Sequence, residues 1–189
     1  PKAYRFISND DMMGASAYQT LSLLKGNRTT FGVDLYRYGG KAINRFVSGP
    51  KEGSDELQVD ENEWEAAAYA DFRQDLAGFI TINAGLRVDR HFSIGTEVVP
   101  QFGLTFRLPK QSEFKLSATK GFRYPIIREM YMYPPKNPNL KPERLWNYEL
   151  AFSQKLLGGA INYGLNLFYI KADNIILTAP NPAGAGMLN

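Results

Sequence analysis

Strict alternation of apolar and polar residues, repeated segment after segment, constrains this chain more than any other feature. Gly78, Ile80, Ile82, Ala84, Leu86 and Val88 alternate with Phe79, Thr81, Asn83, Gly85, Arg87 and Asp89. A period of two puts each set on its own side of an extended strand, because successive Cβ atoms point to opposite faces. The pattern returns around Phe31–Leu35, Val98–Phe106, Phe114–Ala118, Trp146–Phe152 and Ile161–Tyr169. Between Glu63 and Leu76 two periods compete. Trp64, Ala66, Ala68, Ala70 and Phe72 share a strand face opposite Glu65, Tyr69, Asp71 and Arg73, while Trp64, Ala68, Phe72 and Leu76 also fit a helix stripe. The neighbouring Gly78–Asp89 strand favours strand, since it needs a partner and a short turn around Asp75–Ala77 supplies one. A three-residue turn there would set Glu65 opposite Arg87. Gly14 to Leu24 reads as a strand of uncertain facing. Pro1 to Met13 shows no clear period and reads as the tail of a preceding loop.

The connections are uneven. Those near residues 26, 76, 110 and 158 are tight, and those across 39–62, 90–96 and 121–143 are mostly longer. Gly121 to Glu143 joins two alternating segments through about 20 residues, where ordinary hairpin loops take about 2–5. Pro125, Pro134, Pro135, Pro138 and Pro142 forbid both helix and ladder there, so a shaped loop is expected. Pro100 costs a ladder donor and is expected near a strand end or bulge.

Strands of about 10 residues exceed the soluble mode of about 5–6 and suit a tilted crossing of a hydrocarbon layer, which takes about 9–11. Short turns at one end and long loops at the other are the mark of a transmembrane β-barrel. On that reading Ile80, Ile82, Leu86, Val88, Phe102, Leu104, Leu116, Leu150, Leu165 and Leu167 face lipid. Thr81, Asn83, Arg87, Gln101, Thr105, Lys115, Ser117, Asn147, Glu149, Asn162 and Asn166 face the lumen. Trp64, Trp146, Tyr148 and Tyr169 then lie near one membrane interface, and Phe72, Phe106 and Phe114 near the other. The pattern alone leaves a second architecture open: a soluble all-β sandwich whose apolar face packs on another sheet, serving as a carbohydrate- or ligand-binding module.

Composition narrows the classes. Mean hydropathy of −0.32 comes with no run of 18 apolar residues, which excludes a helical membrane protein and leaves an alternating barrel possible. A net charge of +3 without a basic run gives no footing for nucleic acid. With no cysteine there is neither a disulfide framework nor a thiolate metal site. Neither end reads as a signal peptide, and Asp173 to Asn189 trails off without a partner strand; an exported protein would extend beyond this chain.

Gly121-Phe122-Arg123-Tyr124-Pro125, paired with Asn137-Pro138-Asn139-Leu140-Lys141-Pro142-Glu143 and followed by Asn147-Tyr148-Glu149-Leu150, resembles the barrel of TonB-dependent outer-membrane receptors. Weaker agreement at Gly85-Leu86-Arg87-Val88-Asp89, Pro100 and Gly103 extends the resemblance over roughly residues 60 to 189. It implies an all-β antiparallel up-and-down meander of about eight strands, an arc of a barrel of about 22. The whole of 1–189 would be this partial barrel domain, with long extracellular loops at about 39–62 and 121–143. The resemblance further implies the outer membrane of a Gram-negative bacterium and uptake of a ferric siderophore, cobalamin or a similar nutrient. The partners it implies are outer-membrane lipid, the small nutrient ligand, and the TonB complex reached through an N-terminal part absent here. A passive porin is disfavoured by the paired loop motif.

No enzyme is legible, and no cofactor or metal site is expected. A lone histidine builds no triad, and no Ser or Cys sits in a nucleophile motif. Glu149 and Asp71 read as lumen partners of Arg87 or Arg73 rather than as an acid pair. His91, in a short loop with no second ligand, reads as an ordinary surface residue. Haem receptors of the resembled family carry a histidine between the two halves of the paired motif. Here the insert offers Tyr131, Met132 and Tyr133 instead, which counts against haem although tyrosine can ligate haem iron. The acidic run Glu52, Asp55, Glu56, Asp60 and Glu61 reads as a solvated loop; cell-surface divalent-cation binding is the alternative, without the spacing of a calcium loop. Arg123, Tyr124, Arg128, Tyr131 and Tyr133 are the candidate cargo contacts, since guanidinium groups and aromatic rings suit planar anionic chelates. The same residues could instead pack the loop onto the barrel rim.

Overall fold

The computed structural model of the chain describes residues 3–132, 136–177, 179–180 and 187–188. Eight strands form one antiparallel sheet in sequence order: β1 (Tyr4–Leu21), β2 (Asn27–Phe46), β3 (Asp55–Leu76), β4 (Ile80–His91), β5 (Gly95–Leu108), β6 (Ser112–Arg123), β7 (Glu143–Leu156) and β8 (Ile161–Asp173). A five-residue helix, α1 (Ile127–Tyr131), interrupts the β6–β7 connection, and a short pair, β9 (Ala179–Pro180) with β10 (Met187–Leu188), follows β8.

Register explains why the sheet has two chemically distinct faces. Ile82, Leu104, Leu116, Leu150 and Leu167 form one row across five strands, each paired with the next. Phe106, Phe114 and Phe152 form the adjacent row on the same face. On the other side of Leu104 lies the row Phe102, Ala118, Tyr148 and Tyr169, and Trp146 stacks on Tyr148 with centroids 5.9 Å apart. Leucines thus lie between two aromatic belts.

No second layer covers this face among the described residues: on interior strands, Leu86 keeps 49% and Phe102 47% of its surface exposed. Many of the buried residues are polar, among them Asn27, Thr29, Glu63, Thr81, Asp89, His91 and Glu97, and no large aliphatic cluster accompanies the buried Ala42, Val59, Ala67, Tyr124 and Met130 among the described residues. A water-soluble sandwich would show the reverse, with its apolar faces shut together. The concave polar face is the protected one, and the apolar face lacks the second sheet that a sandwich requires.

Several local expectations need correction. The segment before Met13 belongs to β1, and Gly39–Asn62 is mostly strand: β2 runs to Phe46 and β3 starts at Asp55, leaving residues 47–54 as the connection. The turn between β3 and β4 is residues 77–79, two positions later than expected, so Glu65 faces His91 and Arg87 faces Tyr69. Ala77 and Gly78 both adopt left-handed backbone there (φ 49° and 76°), which closes the hairpin. Both residues of each pair move by an even number, so every side chain keeps its face. Pro100 lies inside β5 opposite Leu86, one residue before the β5–β6 ladder begins at Gln101 and Thr119. The connection after β4 is only residues 92–94. Prolines did not exclude helix throughout the long loop, since the proline-free stretch after Pro125 forms α1.

β1, β2 and β3 have 18, 20 and 22 residues, whereas β4 and β6 have 12 each. The first three strands therefore rise as a wall beyond the tight turn that caps β4. The rim at this end carries residues 47–54, 92–94, 124–132 and 136–142. The apolar band stops below it at Arg90 and Thr96, which face each other on the apolar side.

Candidate functional site

The described parts of the β6–β7 loop, residues 124–132 and 136–142, fold inward over the polar face of the tall β1–β3 wall, and three sets of contacts hold them there. Arg123 clamps its two ends: Nε donates to Glu143 Oε2 at 2.6 Å, and both Nη atoms donate to the Glu129 carboxylate at 2.9 and 3.0 Å. Glu129 Oε2 also accepts the Ile126 backbone N–H at 2.9 Å, so one carboxylate fixes the first turn of α1 and the start of the loop together. The bond from Arg123 holds the Glu143 carboxyl below its usual range.

Tyr124 is the second anchor. It is buried, and its hydroxyl donates to the carbonyls of Asp89 and Gly95, each at 3.2 Å. Its ring packs against Phe122 and His91, both at centroid distances of 4.9 Å. Burial first, then nearby carboxylates, pushes the phenol up to about 12, so it stays a donor. Further along, Met130 is almost fully buried, its carbonyl accepts the Asn137 N–H at 2.8 Å, and Lys136 Nζ reaches the Gln58 carbonyl at 3.4 Å.

His91 is the third, and it is not a surface residue: it has no exposed surface. Parity along β4 carries it inward after Arg87 and Asp89, and the Tyr124 ring then covers it. Its Nδ1 accepts the backbone N–H groups of Ser93 and Ile94 at 3.3 Å each, closing the tight turn. Nε2 lies 2.9 Å from the Tyr38 hydroxyl. With Nδ1 committed as an acceptor, a neutral ring carries its proton on Nε2 and donates to Tyr38. Burial lowers the His91 pKa; Glu63 pulls it up and Arg90 pushes it down. Ser93 Oγ donates to Glu63, tying the turn to β3.

Between the inward loop and the wall lies a groove of about 770 Å³, within the range of small-molecule sites. Tyr4, Phe6 and Met12 of β1, Tyr38 and Ala42 of β2, Val59 of β3, and Ile126, Ile127, Arg128 and Met132 of the loop line it. The sequence candidates separate accordingly. Arg128 lines the groove. Arg123 and Tyr124 hold the loop in place. Tyr131 is half-buried beside the groove, its phenol raised by burial and by Glu63 and Glu61, and Tyr133 lies outside the described residues. Sequence reading missed Tyr4, Phe6 and Tyr38, because the strands they occupy rise beyond the alternating band. Tyr36 pairs with Glu65 on the polar side, and extending that parity by two reaches Tyr38.

The lumen below carries charge in paired form. Arg87 donates to Asp34 at 2.5 Å and to Asp89 at 2.9 Å, and Glu97 accepts from Lys120 at 2.9 Å and Arg144 at 2.5 Å. Asp71 and Glu149 are not the carboxylates that Arg87 and Arg73 hold: Asp71 accepts from Gln101, Glu149 from Asn147 at 2.6 Å, and Arg73 pairs with Asp75.

Three comparisons place this geometry among known proteins. The family model described as TonB dependent receptor-like, beta-barrel, matches residues 2–189. Vitamin B12 transporter BtuB of Photobacterium profundum is 30% identical over 105 residues, which is 52% of this chain and 17% of that protein. The fold matches a mutant ferric enterobactin receptor, PfeA, of Pseudomonas aeruginosa with a TM-score of 0.74 at 18% identity, over 91% of this chain and 28% of that one. It matches the copper transporter OprC with a TM-score of 0.77 at 14% identity, over 92% of this chain and 31% of that one. The chain thus spans under a third of these relatives. They are transporters and receptors rather than enzymes. A meander with one polar, charge-paired face, one bare apolar face and an inward loop at the rim is what such a barrel needs, and the chain belongs to the TonB-dependent receptor family as part of its β-barrel.

Proposed function

We propose that this barrel segment serves uptake of a scarce nutrient, a ferric siderophore or cobalamin, across the outer membrane of a Gram-negative bacterium, driven through the TonB complex. The observation that carries the reading is the groove under the inward loop, lined by Arg128, Tyr4, Phe6 and Tyr38 together with Asp10 and Asp11. Asp11 is paired with Arg37 at 2.8 Å and Asp10 accepts from Ser8, and a guanidinium beside aromatic rings suits a large, flat chelate better than a bare ion. The names of the relatives (vitamin B12, ferric enterobactin, copper) span several cargoes. Arg128 and Tyr131 act as cargo contacts on this reading, with Tyr133 a further one, while Arg123 and Tyr124 position the loop that presents them.

Deletion of the gene, followed by growth on single iron sources and on cobalamin, tests this directly. Loss of growth on one source, restored by the full-length gene, is expected. Arg128→Ala in the restored gene should weaken uptake about tenfold, the worth of one charge-assisted bond. Unchanged growth on every source would overturn the assignment.

A further inference from the structure

We propose that His91 is the positioning residue for the inward loop, and that protonating it releases the Tyr124–Met132 segment from the rim. Four segments converge on this imidazole: Tyr38 from β2, Glu63 from β3, the 92–94 turn, and Tyr124 at the root of the loop. The groups facing it are Tyr38, Glu63 and its register partner Glu65, the neighbouring Asp89 and Arg90, Ser93 and Tyr124.

The geometry is built for the neutral ring. Nδ1 receives two backbone N–H groups at 3.3 Å, from Ser93 and Ile94. A second ring proton would sit on Nδ1 and point at both donors, where no acceptor stands. The Glu63 carboxylate, which also accepts from Ser93 Oγ, lies 3.9 Å from Nδ1, beyond hydrogen-bond reach. Moving the ring toward it disturbs the packing of His91 against Tyr124, whose ring centroid lies 4.9 Å away. Tyr124 in turn holds the loop through the carbonyls of Asp89 and Gly95, which flank the same tight turn. Protonation therefore strains the anchor of the loop.

The sign follows from burial. A histidine whose pKa is lowered on folding gives its full contribution above the unfolded value of about 6.5 and loses it as pH falls below that value. The carboxylate of Glu143, at the other loop anchor, titrates at lower pH and does not share this window. If the cargo reading above is right, acid loosens the cover of the groove; the loop claim itself does not depend on any cargo.

Hydrogen exchange followed by mass spectrometry on the full-length receptor in lipid tests the proposal, at pH 7.5 and 5.5, with rates corrected for intrinsic chemistry. Peptides covering residues 124–132 should exchange several-fold faster at pH 5.5, while β4 and β5 peptides below the rim stay unchanged. His91→Asn keeps an acceptor without a titratable ring, and His91→Phe fills the space without either; both should abolish the pH step. If one variant fails to assemble, the other and the wild-type pair of pH values still decide. Equal protection at both pH values in wild type, or a step that persists in an assembled variant, would overturn the proposal. The exchange experiment uses no cargo, so failure here leaves the uptake reading to its own growth test.

Discussion

Arg123 and Glu143 face each other on the last rung of the β6–β7 ladder, and a 2.6 Å bond joins them. The loop that covers the groove therefore begins and ends on one ion pair, with Glu129 of α1 drawn into the same cation at 2.9 Å. Closing a long loop costs chain entropy that grows slowly with its length, so one clamp at its mouth has an outsized effect on where the loop rests.

Arg123→Met removes that clamp and leaves Glu129 and Glu143 close together without a cation. The guanidinium is partly exposed, which limits the loss to about 1 kcal/mol. Exchange protection should drop in residues 124–142 and remain intact in β4 and β5. A pH response follows as well. Arg123 holds the Glu143 pKa below its ordinary 4.5, so the clamp is complete above that value and lost as pH falls through the lowered one. Protection in Arg123→Met equal to that of wild type at neutral pH would show that the pair carries little.

Tyr124→Phe keeps the ring against His91 and Phe122 and removes only the hydroxyl shared by the Asp89 and Gly95 carbonyls. The expected cost is about 1 kcal/mol, one ordinary hydrogen bond. Tyr124→Ala also empties the packing site and should cost about 3 kcal/mol. Thermal unfolding of the full-length receptor in detergent, with exchange at the 92–94 turn, measures both. Equal effects from the two substitutions would show that the ring contributes nothing.

The legible part of this fold was the part that lies in the alternating band. There each strand must present one apolar and one polar side, so sequence alone assigned Ile82, Leu104, Leu150 and Leu167 to one face and Thr81, Arg87 and Glu149 to the other. Above Arg90 the constraint lapses. Residues 4–13, 39–46 and 55–62 pair through their backbones with no apolar side required, so β1, β2 and β3 looked shorter than they are. The same gap hid the groove, which is built on that extension. His91 looked exposed because a short loop was expected around it, and no local pattern reveals that Tyr124, 33 positions later, closes over it.

Arg87 carries the lumen network, and its removal should be costly. Asp89 is 1% exposed and Asp34 is nearly buried on its side chain, so Arg87→Met strands two carboxylates. The expected loss is about 3–5 kcal/mol. Arg87→Lys should recover little, because a single ammonium cannot reproduce the fork that reaches both partners. Combining Arg87→Met with Asp34→Asn and Asp89→Asn should recover much of it. Urea titration of folding into lipid vesicles ranks the four proteins, and a triple variant no better than Arg87→Met would refute the stranded-charge account.

Leu104 and Thr105 are chain neighbours on opposite faces of β5, which makes them a matched test of what each face touches. Leu104 sits in the leucine row between the aromatic belts, paired with Ile82 and Leu116. Thr105 pairs with Thr81 and Lys115 on the concave side. If hydrocarbon covers the first and water the second, Leu104→Arg should cost about 2–4 kcal/mol on insertion into vesicles. Thr105→Arg, the same charge one residue on, should fold nearly as well as wild type, since its side chain enters a polar lumen. Two sheets packed face to face would also penalise Leu104→Arg, but they would make folding independent of lipid. The full-length receptor should fold only when vesicles or detergent are supplied, and its Leu104→Arg deficit should shrink in thinner bilayers, where the charge lies nearer to water.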